Sequence, residues 1–264
     1  LPSAFVQLNL KVVALTALFF KTVTAFGLGV SNIKSDSLYQ YMKNKGYKDD
    51  VLKETGLFIY DDRGVYDRFR NRVMFPIINI NNKVIGFGGR VMGDGEPKYL
   101  NSPETVIFDK GRNLYGLNIA KNSRKNNIII CEGYMDVISM HQAGFTQAVA
   151  SLGTALTEGQ ANLIKRYVSD VLICYDSDGP GVKAALRAIG IFKNTGLRCK
   201  VINMEPYKDA DEFIKKEDIS LSNKIGITAG ASTPHNQIRE YANLLEFVLY
   251  YKNKLKIKII LTLY

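Results

Sequence analysis

Short apolar runs bounded by polar or turn-forming residues dominate the second half of the chain, with stretches of helical period between them. Asn127 to Cys131 (NIIIC), Gln147 to Ser151, Val171 to Tyr175 (VLICY) and Arg198 to Met204 have the length and β-branched content of buried parallel strands. Tyr134 to Ala143 and Gly181 to Asn194 read as helices. Thr157 opens another, with Gln160 three positions on as a capping box. This alternation predicts a doubly wound α/β unit around a parallel sheet over residues 126–217.

The first half has a different rhythm. Asp36 is positioned to cap a helix carrying Leu38, Tyr41 and Met42 that Gly46 ends, and a shorter helix follows from Lys48 or Asp49 to Gly56. From Phe69 the pattern turns to strands. Val73 to Ile80 and Lys83 to Met92 read as a hairpin around Asn81-Asn82, and Gly86, Gly88 and Gly89 imply close approach of another group to the backbone. Gly93 to Pro103 reads as an ordered loop. The expected fold class is therefore α/β, with a mixed α/β subdomain over 26–122 preceding the parallel-sheet unit.

Three acidic pairs change the picture. Glu132 with Asp136, Asp176 with Asp178, and Asp209 with Asp211 each follow a predicted strand. Beyond the carboxyl ends of parallel strands they should converge on one edge. Gathered carboxylates repel, and some pKa values rise unless a cation compensates them. Ligation by oxygen alone suits Mg²⁺ or Mn²⁺, not zinc. Helix capping or a solvated turn is the plainer role for each acid, Asp136 above all because it falls inside a helix.

The 264 residues carry a net charge of +10 and a pI near 9.3, a balance that favours a polyanionic partner over a merely Lys-rich surface once the acidic edge is considered. Arg68, Arg70 and Arg72 alternate, so an extended strand would place them on one face. Cys131, Cys174 and Cys199 lie in or beside strands with no C-x-x-C pair, which argues for buried thiols and against a disulfide framework or zinc site. His141 and His235 are too isolated to build a His-based centre. No apolar run approaches the roughly 18 residues of a membrane span. Val12 to Phe20 lacks a basic segment before it and reads as a core element, not a signal peptide. A cytoplasmic location is expected, and the missing initiator Met suggests a piece of a longer protein.

The segments Cys131 to Asp136 (CEGYMD), Tyr175 to Gly179 (YDSDG) and Lys208 to Glu212 (KDADE) resemble the three motifs of a TOPRIM domain. Asp67 to Ile77 (DRFRNRVMFPI), Val84 to Val91 (VIGFGGRV), Pro97 to Thr105 (PKYLNSPET), Phe108 to Leu117 (FDKGRNLYGL) and Ala150 to Gly153 (ASLG) are similar to the polymerase core of bacterial DnaG-type primases. The likeness runs from about Phe26 to Lys216, leaving 1–25 and 218–264 as divergent segments. Gly226 to Pro234 (GITAGASTP) instead resembles a stretch of a reductase of isoprenoid biosynthesis, without that enzyme's cluster-binding cysteines.

The resemblance implies a TOPRIM fold and synthesis of short RNA primers from ribonucleoside triphosphates on single-stranded DNA, dependent on Mg²⁺ or Mn²⁺. It implies Asp176, Asp178, Asp209 and Asp211 as metal ligands. Glu132 is implied as a ligand or proton-transfer group and Asp136 as part of the acidic catalytic surface. Arg68, Arg70, Arg72, Arg90, Lys98, Lys110 and Arg112 are implied phosphate contacts, and Asn101 a neutral hydrogen-bonding one. Tyr99 and Phe87 are candidates for stacking on bases. The family's zinc-binding domain and its helicase-interaction domain, through which a replicative helicase is the expected partner, are not visible in this sequence. Competing readings are a fragment that binds single-stranded DNA with little activity, a topoisomerase or TOPRIM nuclease, and a primase-helicase. The last lacks support because no G-x-x-x-x-G-K-[ST] segment is present.

Overall fold

A computed structural model describes residues 21–216 of the chain. Residues 1–20 and 217–264, and with them the readings made for Val12 to Phe20, His235 and Gly226 to Pro234, lie outside the described residues. The first half builds β1 (Gly29–Val30), α1 (Ser37–Asn44), α2 (Asp49–Glu54), β2 (Phe58–Asp61), β3 (Gly64–Asp67), β4 (Arg72–Ile78), β5 (Val84–Val91) and β6 (Tyr99–Asn101). Four of these strands form an antiparallel sheet in the order β1-β4-β5-β6. The β4–β5 hairpin matches its sequence pattern because residues on one face, Val73, Phe75 and Ile77, are buried.

Three local expectations change. The expected loop before Pro103 contains β6, whose Tyr99, Leu100 and Asn101 pair with Arg90, Gly89 and Gly88. A three-residue strand is too short to announce itself by period. The β2–β3 hairpin, Phe58–Asp61 paired with Gly64–Asp67, has no counterpart among the elements the sequence pattern predicts. Asp36 occupies the cap position of α1 but makes no side-chain cap. Asp67, at the end of β3, does so instead, its carboxylate accepting from the Leu38 and Tyr39 amides at 2.7 and 2.9 Å.

The second half follows the expected alternation: α3 (Leu117–Ala120), β7 (Asn127–Cys131), α4 (Tyr134–Gln142), β8 (Ala148–Ala150), α5 (Glu158–Lys165), β9 (Asp170–Cys174), α6 (Gly179–Thr195), β10 (Arg198–Val201) and α7 (Ala210–Lys216). Its sheet is parallel throughout, in the order β10-β9-β7-β8. Ile128, Ile130, Val171 and Ile173 pack on one face against Ala161 and Ile164 of α5 and Ala185, Ala188 and Phe192 of α6. Each such large aliphatic side chain contributes about 1.5–3 kcal/mol on burial. On the other face Ile129, Leu172 and Cys174 border a cavity of about 170 Å³ with Met140 of α4 and Phe213 and Ile214 of α7. The Thr157 capping box forms as read, both of its hydrogen bonds measuring 3.1 Å. The three cysteines are free thiols, Cys131 and Cys174 buried.

Candidate active site

The parallel register brings the ends of β7 and β9 level, with Cys131 beside Cys174, so Glu132 and Asp176 emerge side by side. Glu132 accepts the Asp176 amide at 3.0 Å through Oε1, which ties the first acidic cluster to the second. Asp178 caps α6 by accepting from Gly181 N–H at 3.0 Å. Gly181 is required there, because a Cβ would lie 2.2 Å from the Asp176 carbonyl oxygen. The Gly179-Pro180-Gly181 segment is thus the first turn of α6, built around its own cap. Asp209 caps α7 through the Glu212 amide at 2.8 Å. Asp136 sits in the first turn of α4 and accepts from Gly133 N–H at 3.1 Å.

These acids sense one another's charge. Burial, then the charges of Asp176 and Asp209, push the Asp136 carboxyl up to about 7 against its Gly133 hydrogen bond. Burial, then Glu132, Asp209 and Asp178, push Asp176 up to about 6, with Lys208 opposing. Glu132 is raised by burial first and by Asp178, while the Asp176 amide and Lys208 act the other way. Among the described residues, however, no three His, Cys, Asp or Glu side chains gather into a ready-made ligand set. The acids share an electrostatic field, not a coordination shell. Capping engages one oxygen each of Asp136, Asp178 and Asp209. Asp211 differs: Ser139 donates to one of its oxygens at 2.6 Å and Lys215 pairs with the other, so both oxygens already have a protein partner. The all-carboxylate donor chemistry and the raised pKa values fit a hard divalent cation.

The basic residues divide. Arg68, Arg70 and Arg72 do not share one strand face, because β3 ends at Asp67 and Asn71 adopts a φ of 51° before β4 begins. Arg72 is buried and donates to the Gly89 and Pro97 carbonyls at 3.2 and 2.8 Å, so its guanidinium serves the fold where a phosphate contact was expected. Arg70 is exposed; Arg68 is half-buried and its Nε has no hydrogen-bond partner among the described residues. Arg90, paired with Tyr99, lies on the opposite sheet face from Arg72, since Val73 and Arg90 are cross-strand partners. Its guanidinium sits 5.5 Å over the Tyr99 ring. Lys98 is exposed beside it, while Lys110 and the exposed Arg112 form a 3₁₀ turn docked on α5 through Gln160 and Thr157. Phe87 is half-buried and packs edge-on against the buried Phe69.

Between the two sheets stands Tyr134, the aromatic residue of the first acidic motif. Its ring stacks on Phe75 at 5.1 Å and meets Tyr115 edge-on at 4.6 Å. Gly88 gives it room, for a Cβ there would lie 2.7 Å from the ring. Gly86 and Gly89 likewise admit Phe108 and Phe69, which accounts for the glycine pattern of β5. Asn101, expected at the nucleotide, faces Tyr134: its Oδ1 accepts from the tyrosine hydroxyl at 2.7 Å and its Nδ2 donates to the Leu152 carbonyl at 3.0 Å. Lys208, in the third acidic motif, brings its charge beside Glu132 and Asp176, a proximity that local sequence does not encode.

The family described as the N-terminal domain of the DNA primase catalytic core matches residues 16–121, and a Toprim-like family matches residues 129–214. The Escherichia coli primase catalytic core is 33% identical, with a TM-score of 0.69, over 92% of this chain and 89% of that one. The chain belongs to the DnaG-type primase catalytic-core family. A DnaG primase catalytic domain solved with single-stranded DNA is 34% identical to this primase core, with a TM-score of 0.70, over 88% of this chain and 71% of that one. The DNA primase of Clostridium acetobutylicum is 54% identical over 197 residues, which are 74% of this chain and 33% of that protein. This primase core thus spans about a third of the curated relatives' length. Among its described residues no helix is long and apolar enough to cross a membrane.

Proposed function

We propose that this chain is the polymerase core of a cytoplasmic DNA primase, joining ribonucleotides into short RNA primers on single-stranded DNA. The observation that carries this reading is the acidic edge at the ends of β7 and β9, against which the Arg90-bearing sheet is held by the seat of Tyr134 on Gly88. Asp176, Asp178 and Asp209 would hold the divalent cation, with Glu132 and Asp211. When bound, the cation supplies charge neutralisation at the triphosphate and Lewis acidity at the attacking hydroxyl.

The chain's own residues do the rest. Arg90, Lys98, Lys110 and Arg112, with Arg68 and Arg70, grip template and triphosphate phosphates. Asp136, poised near neutrality, holds or accepts a proton beside the acidic edge. Glu132 keeps the Asp176 loop in place through its amide hydrogen bond. The partners under this reading are single-stranded DNA, ribonucleoside triphosphates, the growing primer and, as the resemblance implies, a replicative helicase.

The test is primer synthesis on single-stranded templates with Mg²⁺ or Mn²⁺, comparing the parent chain with Asp176→Ala and Asp209→Ala. Both variants should lose at least about a hundredfold in rate while keeping the parent's circular-dichroism spectrum. DNA binding without synthesis by the parent, or synthesis near the parent level in both variants, would overturn the assignment.

A further inference from the structure

Tyr134 lies two residues after Glu132 and two before Asp136, inside the first acidic cluster. Packing alone would be satisfied by phenylalanine at this position, since Phe75, Tyr115 and Gly88 enclose the ring. The hydroxyl instead makes a short bond to Asn101, and the same amide reaches on to Leu152 in the loop after β8. The roles of the amide atoms follow from chemistry: the Leu152 carbonyl only accepts, so Nδ2 faces it and Oδ1 is left for the tyrosine. Gly153 keeps this loop close, with a φ of 74° and a hypothetical Cβ only 2.4 Å from Asn101 Nδ2. Asn101 is cross-strand partner to Gly88 and two residues from Tyr99, over which Arg90 lies. A single chain of contacts therefore runs from Arg90 on β5, through Tyr99 and Asn101 of β6, to the backbone between Glu132 and Asp136.

We propose that Tyr134 and Asn101 are positioning residues for nucleotidyl transfer, a bolt that fixes the phosphate-gripping strands β5 and β6 relative to the carboxylates flanking Tyr134. The proposal rests on the polymerase reading above. Each polar atom of the Asn101 side chain makes a hydrogen bond inside the protein, which orients the amide toward Tyr134 and lets it act through that ring. The physical need is geometric: misplacing reacting groups by about 1 Å costs on the order of a hundredfold in rate. A hydrogen bond at each end of the amide resists that slip, where an apolar contact alone lets the ring slide.

The experiment compares parent, Tyr134→Phe, Asn101→Ala and the double variant. In each, kcat and KM for nucleotide, single-stranded DNA affinity and the urea unfolding midpoint are measured. Tyr134→Phe should lower kcat about tenfold at saturating nucleotide, with KM and DNA affinity within about twofold of the parent. The double variant should be no slower than Asn101→Ala, because the two residues act as one unit. A kcat near the parent in Tyr134→Phe, or rate losses that track only the loss of folded protein, would overturn the proposal. A parent that makes no primer would defeat the polymerase reading instead. Hydrogen exchange would then judge the bolt: Tyr134→Phe should speed amide exchange at residues 132–136 and 152–153 about tenfold relative to β9, and unchanged exchange would refute it.

Discussion

Replacing Asp136 by Asn isolates the electrostatic cost of the acidic edge. The substitution keeps the shape and an oxygen to accept from Gly133 N–H, which Asp136 does at 3.1 Å, and removes only the charge. Asp136 carries a folded-state pKa of about 7 against an ordinary 3.8, raised first by burial and then by Asp176 and Asp209. The sign follows from proton counting. Between these two values the folded chain holds a proton that the unfolded chain has lost, so stability is highest below pH 4 and falls as pH rises through 7. The full interval corresponds to about 4 kcal/mol at 1.36 kcal/mol per unit. Proton sharing with Asp176, itself raised to about 6, and local relaxation reduce the expected difference to roughly 1–3 kcal/mol. Thermal unfolding followed by circular dichroism in EDTA, from pH 5 to 8.5, measures it. At pH 8 Asp136→Asn should melt above the parent by roughly 2–12 °C, given about 2–4 °C per kcal/mol for a chain of this size. By pH 5 the gap should shrink to roughly 40% of its size at pH 8, closing only as pH approaches 4, and millimolar Mg²⁺ should narrow the gap at pH 8 by compensating the parent's charge. Parallel pH profiles in EDTA would refute the reasoning, because they would mean that Asp136 ionises without penalty.

Two further outcomes separate nucleic-acid grip from chemistry and packing. Lys98→Ala should weaken single-stranded DNA binding and flatten its salt dependence by about 0.7 per lost contact, whereas Asp178→Ala without metal should leave affinity unchanged or higher while primer synthesis falls; titrations across salt with and without Mg²⁺ decide. Gly88→Ala pushes a methyl into the Tyr134 ring, which would stand 2.7 Å away, and should cost about 1–3 kcal/mol in urea unfolding, so an unchanged midpoint would show that the seat yields freely.

The sequence alone determined the parallel sheet and its acidic edge. Ile128 to Ile130 and Val171 to Ile173 are apolar at every position because both faces of their strands are covered, and such runs are legible without knowing what covers them. The acids follow those strands directly, so their shared edge was a consequence of strand direction. Only the tertiary structure decided which arginine faces outward. Arg68, Arg70 and Arg72 alternate in sequence, but the turn at Asn71 breaks the strand and sends Arg72 to carbonyls 17 and 25 residues away. The cap of α1 by Asp67, the pairing of β6, the double engagement of Asp211 and the seating of Tyr134 on Gly88 are likewise contacts between residues far apart in the chain. Local pattern records which face of an element is apolar, through the 2.0 and 3.6 periods of strand and helix. It holds no record of which partner a polar atom finds across the fold, because that choice is made only when the sheets pack.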